Sequence, residues 1–207
     1  MDIFLRAKHW QLFILIIVLP IIITVAVMIS ALLSIASTDE PNPMLIISDM
    51  KFALLGLLVY VIGKMCWQWV VAIRLQRLAP AGVPFKNTSF KIFFWCVIIY
   101  YPLYFTFFFT FIGSISSAIG AGGLIDPSAF IWFIAVFPLS LFNTFCMFYC
   151  YYYTAKTYKT IELQRPVAFS DFILEAVLIW FFFVGVWIMQ PKINEMAERE
   201  SIPADAS

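Results

Sequence analysis

Charge is scarce in this chain. Only 12% of its 207 residues are Asp, Glu, Lys or Arg, while 63% are hydrophobic. A soluble domain carries about 25% charged residues. A chain this apolar cannot cover its surface with polar groups, which excludes a water-soluble globule and makes lipid the solvent. The net charge of +1 argues for no nucleic-acid partner. Histidine is scarcer still. His9 is the only one, which excludes bis-histidine haem ligation and any His-Glu-x-x-His zinc site. No Gly-x-Ser-x-Gly elbow occurs, and 120-GAGG-123 lacks the lysine and hydroxyl of a phosphate loop. The four cysteines, Cys66, Cys96, Cys146 and Cys150, lie in apolar runs without Cys-x-x-Cys spacing. They read as buried free thiols, so no disulfide framework is expected, and no metal or cofactor. No internal repeat is visible, which leaves an inverted-repeat transporter unsupported.

Long apolar runs are abundant. A helix needs about 20 apolar residues to cross the hydrocarbon core. The charged residues divide the chain into five such candidates, 10–33, 52–73, 92–112, 130–153 and 172–190. The expected fold is therefore all-α, a polytopic transmembrane bundle forming one domain over 1–190. A polar, mobile tail is expected over 191–207. The uncharged run from His9 to Thr38 covers 30 residues, too long for a signal-peptide core of about 7–15 residues, so it reads as an uncleaved first span. Asp126-Pro127 has the form of a helix start. The segment 113-GSISSAIGAGGLID-126 reads as a flexible or re-entrant connection. Pro166 ends the fourth helix near Gln164, and Pro191 closes the fifth span.

Lysine and arginine in the short loops set the orientation. With five spans, one side holds Arg6, Lys8, Arg74, Arg77, Lys86, Lys91, Lys156, Lys159 and Arg165, and the other only Lys51, Lys192 and Arg199. This split of nine to three puts the N-terminus in the cytoplasm and the C-terminus outside. The alternative is a fifth segment that does not cross, which returns the tail to the cytoplasm and leaves four spans.

Two charges fall inside spans, Lys64 and Glu175. A charge at the bilayer centre costs about 2.5–3.5 kcal/mol on insertion scales, so each needs an interior position and a partner. Depth allows them to pair, since a lysine can snorkel over the mismatch of about 6 Å. Gly56, Tyr60, Lys64 and Gln68 recur every four residues and form one small-to-polar stripe. If the second span is instead 44–63, Lys64 lies at the interface, but Asp49 and Lys51 then enter the membrane. Ser140, Asn143 and Thr144 follow Pro138 in the fourth span. Such groups serve more often as hydrogen-bonding glue between helices than as a substrate site. Pro20, Pro102 and Pro138 can kink their helices and open a cavity or hinge. The 23 Phe, 9 Tyr and 7 Trp read first as lipid-facing and packing surface, with 149-YCYYY-153 and Trp10 in an interface belt. The alternative is a Phe-lined lipid or quinone slot.

The segments 5-LRAKHWQLF-13 and 154-TAKTYKTIELQRPVAFSDFILEAVLIWFFFVGVWIMQPKIN-194 together resemble a family of small, uncharacterised bacterial integral membrane proteins. The resemblance covers the two ends of the chain and only loosely the middle. It implies a multi-pass protein of the bacterial cytoplasmic (inner) membrane and no known activity. Three functions fit these readings. The first is an accessory or interaction protein without catalysis, whose partners are the bilayer and another membrane protein or a second copy. The second is a small permease or ion-coupled transporter using a Lys64–Glu175 pair. The third is an intramembrane enzyme acting on lipid or quinone. The candidate polar site is Lys64, Glu175, Tyr60, Gln68 and Asn143.

Overall fold

The computed structural model describes residues 3–36, 43–80, 82–120 and 127–201. Every regular element among them is helical: α1 (Ile3–Arg6), α2 (His9–Phe13), α3 (Leu19–Ala36), α4 (Pro43–Trp69), α5 (Asn87–Gly120), α6 (Pro127–Leu163), α7 (Phe169–Trp180) and α8 (Phe182–Ser201). Helix closes backbone hydrogen bonds within the segment itself, which apolar runs without water require. Three stretches, His9–Ser34, Leu54–Leu78 and Asn87–Ile115, are long and apolar enough to cross a membrane. The second contains Lys64. The predicted cap at Asp126 lies outside the described residues.

The prolines are absorbed without breaking the helices. A wide π turn, Ile14–Val18, joins α2 to α3 just before Pro20. Such a turn relieves the ring's clash with the preceding carbonyl. Thr24 and Thr106 donate to the carbonyls of Pro20 and Pro102, each at 2.9 Å. α4 passes through a second π turn, Val70–Arg74, into a 3-10 turn, Leu75–Leu78. α6 stops at Leu163 because Gln164 takes φ 51°. Its amide ties that end down by donating to the carbonyls of Ile161 and Leu78 at 2.8 and 2.9 Å.

Helices pack in pairs. α3 lies along α4 and α5 along α6. At Gly56 a Cβ would sit 2.8 Å from the Thr24 hydroxyl and 2.9 Å from the Pro20 carbonyl. Only glycine lets α3 and α4 approach this closely. Close van der Waals packing of this kind is what holds helices together in a bilayer, where apolar burial gives little driving force. Among the described residues, the buried core gathers at one end of the bundle, called here the closed end. Leu12, Ile16, Trp67, Leu75, Tyr158, Phe172, Phe182 and Ile193 form one part of it. Phe90, Phe94, Val97, Cys146, Cys150 and Tyr153 form the other.

The fifth predicted span is not one helix, and this corrects the sequence reading. α7 ends at Trp180, Phe181 adopts φ −82° and ψ 60°, and α8 begins at once. The chain then folds back. Asp171, in the first turn of α7, lies 3.4 Å from Arg165, and Lys192 of α8 lies 2.7 Å from Glu162. Both partners are at the same end of α6. A straight helix would hold Asp171 and Lys192 about 31 Å apart. The turn satisfies itself: Phe181 N–H donates to Val177 O, and Val184 and Gly185 N–H donate to Phe181 O, at 2.9 to 3.0 Å. The two arms touch at Gly185, where any Cβ would collide with the Leu178 carbonyl oxygen.

Pro191 does not end the segment either. α8 continues through it to Ser201, and Ile193 is fully buried. The predicted mobile tail is thus helical over 191–201. The reason is tertiary. Gln190 donates to the carbonyls of Phe4 and Ala7 at 2.8 and 3.1 Å, and Asn194 donates to Ala7 O at 3.2 Å. These contacts outweigh the single backbone donor that proline removes.

Candidate functional site

α4 presents Tyr60, Lys64 and Gln68 on one face, as the four-residue spacing predicts, and that face turns inward. Lys64 is 5% exposed and Gln68 not at all. The Lys64 amine donates to the Tyr151 hydroxyl at 3.1 Å. It lies 4.6 Å from the Tyr151 ring centroid and 5.9 Å from that of Tyr60. No carboxylate reaches it among the described residues. The predicted Lys64–Glu175 pair does not form.

Magnitudes explain how Lys64 is tolerated. Burying the charge costs about 2.5–3.5 kcal/mol. A hydrogen bond to a charged group returns about 1.5–3 kcal/mol. A desolvated cation–π contact adds up to about 2 kcal/mol. The terms nearly cancel. Yet an ammonium has three donors and finds one acceptor here. One turn along the same face, both polar atoms of the Gln68 amide are buried without a partner. Native interiors leave few such groups, and each calls for a physical explanation.

Glu175 is held elsewhere. Its carboxylate lies 2.8 Å from the Lys159 amine, which also contacts Glu162 at 2.7 Å, and Glu162 in turn contacts Lys192 at 2.7 Å. The four charges form a chain, Glu175–Lys159–Glu162–Lys192, that pins both arms of the hairpin to α6. Burial alone would push the Glu162 carboxyl up, but the two amines hold it below its ordinary range. Burial alone would lower Lys159, and the two carboxylates more than offset this and raise it. The second oxygen of Glu175 is buried and unpartnered.

Asn143 stands apart from both groups. Its amide nitrogen faces Met147 Sδ at 3.7 Å and its oxygen has no partner. Ser140 meets the Tyr100 hydroxyl at 2.8 Å, a link between α5 and α6 of the kind expected of packing glue. Thr144 donates only to the Ser140 carbonyl of its own helix, at 2.9 Å.

Sequence reasoning missed Tyr151, which it placed in an aromatic belt, and Lys159, which it counted as a loop charge. The spacing of Lys159 and Glu162, three apart near a helix end, was the available signal. It also missed Gln190. That side chain accepts from Trp67 Nε1 at 2.9 Å while donating to the N-terminal carbonyls, and so joins α4, α8 and the chain start. Beside it, the His9 and Phe13 rings pack on Trp187 at 4.7 and 5.4 Å. The N-terminal segment and α8 are therefore neighbours in space. No protein-family model matches this chain, and no curated protein or solved structure matches it either.

Proposed function

We propose that the chain is an accessory protein of a bacterial cytoplasmic membrane. It crosses four times, adds a half-depth helical hairpin, and works through one basic face that carries both termini. The reversal at Phe181 carries this reading. α7 has 12 residues, about 18 Å of helix, against a hydrocarbon core of about 30 Å. The hairpin therefore enters one leaflet and returns. Its outward residues, Leu174, Val177, Trp180, Phe183, Trp187 and Ile188, are apolar and exposed, as lipid contact requires.

The reversal moves Lys192 and Arg199 across. The basic face then holds eleven Lys and Arg, with Lys51 alone opposite and Lys64 within. That asymmetry is sharper than nine to three and obeys the positive-inside rule better. The same face gathers the ion-pair chain and the Gln190 junction, so a partner protein or anionic headgroups meet it first.

An alkaline phosphatase fusion at Ser207 tests the topology. It should be inactive, with a fluorescent-protein fusion bright at the same point. An active phosphatase would return the chain to five spans. Purification in mild detergent should recover a stoichiometric membrane partner, and isolation as a lone monomer would overturn the accessory role.

A further inference from the structure

We propose that the furrow between α4 and α5 seats one acyl chain of an anionic phospholipid, whose phosphate is held at the closed end by Arg74 and Lys91. The first observation is the furrow. α4 packs along α3 and α5 along α6, so α4 and α5 meet over little of their length. Where they meet, Trp69 packs on Phe94 at 4.8 Å. Both rings line a groove of about 370 Å³, within the range of about 300–1,000 Å³ found for ligand sites. Met65, Val70 and Phe94 are buried and form its floor, while Ile62, Cys66 and Trp95 are exposed and form its rim. These side chains are apolar apart from the thiol, so the groove takes hydrocarbon.

The second observation is charge. The α4 wall passes into the π turn Val70–Arg74, which sets Arg74 about one turn past Val70. On α5, Lys91 precedes Phe94 and Trp95 by three and four residues, one turn away on the same face. Both steps lead towards the closed end, because α4 runs into that core and α5 runs out of it. Lys91 is exposed and Arg74 half-buried. Among the described residues neither meets a carboxylate. Glu162, Asp171 and Glu175 are engaged on the other side of the bundle, in ion pairs around α6, α7 and α8.

Charge complementarity selects the ligand. A phosphodiester brings one negative charge to two cations, and a guanidinium binds phosphate in a two-pronged geometry. Its acyl chain continues into the groove. Trp69 and Trp95 stand between head and tail, at the level that tryptophan favours in a bilayer. A zwitterionic lipid offers the same chain and phosphate, but its choline cation opposes Arg74 and Lys91. The proposal rests on the reading that the closed end lies at a membrane surface, and it names the lipid that meets the basic face there.

Cys66 is a natural reporter, exposed on the rim, while Cys96 lies in a separate groove with Tyr100 and Asn143. Delipidated protein in a nonionic detergent should bind one dioleoyl phosphatidylglycerol per chain, read by native mass spectrometry. Binding should be about tenfold or more tighter than for dioleoyl phosphatidylcholine, since each cation near a headgroup contributes about fivefold. The same lipid should slow maleimide labelling of Cys66 and leave Cys96 unchanged. Arg74→Gln combined with Lys91→Gln should abolish the preference. Equal affinity for the two lipids, phosphatidylglycerol binding that leaves Cys66 labelling unchanged, full preference in the folded double variant, or a dimer that protects Cys66 without lipid would each overturn the proposal. The two-lipid comparison uses the unaltered chain, so it decides the matter even if the variant does not fold. An active phosphatase at Ser207 would overturn the topology and leave the lipid preference standing, whereas equal affinities would overturn the lipid site alone.

Discussion

Lys159 and Lys64 are two buried-side lysines of one bundle, solved in opposite ways. Lys159 sits at the closed end between two carboxylates, at 2.7 and 2.8 Å. Lys64 sits deeper, with a phenol and two aromatic faces. The first arrangement is closed: each charge is answered by an opposite one, and the product is a fixed hairpin. The second is nearly balanced in energy but leaves donors free. A charge that holds structure is matched by charge.

Breaking that contrast should give the largest effect at Lys159. Lys159→Met strands Glu175 in a partly buried site, takes one of the two amines from Glu162, and should cost about 3 kcal/mol, read as a drop in the detergent unfolding midpoint. Adding Glu175→Gln to it should restore part of the loss. If Lys159→Met leaves the midpoint unchanged, the ion-pair chain does not pin the hairpin.

The hairpin's own contact comes next. Gly185→Val pushes a branched side chain onto the Leu178 carbonyl and should cost about 3 kcal/mol, the upper end of overpacking. Protease sensitivity of the Phe181 turn should rise with it. Unchanged protection would mean that the arms do not touch there.

The ion-pair chain also fixes a pH window. Glu162 lies below its ordinary value of 4.5, so its stabilisation is complete above that pH and is lost as pH falls below it. Lys159 lies above its ordinary value of 10.5, so its stabilisation is complete below that pH and is lost as pH rises beyond it. The unfolding midpoint should therefore be flat between these limits and fall outside both. In Lys159→Met the alkaline fall should vanish.

Lys64→Met sharpens the comparison from the other side. The opposing terms nearly cancel, so stability should change by about 1 kcal/mol or less in either direction. A loss as large as that at Lys159 would make Lys64 structural. The smallest effect is expected at Arg165→Ala. That guanidinium is largely exposed, 3.4 Å from Asp171, and such pairs contribute about 0–1 kcal/mol.

Much of this was legible in the chain. Composition alone called for helices in lipid, because no other secondary structure with open edges survives there. The four-residue spacing of Tyr60, Lys64 and Gln68 correctly placed them on one inward face. Their partners were not legible, since Tyr151 lies 87 residues from Lys64 and nothing local links the two. Glu175 was a reasonable candidate by depth, but depth is one coordinate of three. Lys159 is nearer because α7 docks on α6.

The sequence by itself determined the helical class, the stretches long and apolar enough to cross a membrane and the inward stripe on α4. Those follow from composition and period, which act locally. The tertiary structure decided the reversal at Phe181, the passage of helix through Pro191 and the partner of every buried charge. No proline marks the turn at Phe181, and Gly185, four residues on, is where its two arms touch. The turn exists because each arm finds better contacts beside α6 and the N-terminus than a straight helix would find in lipid, and that choice depends on residues far away in the chain.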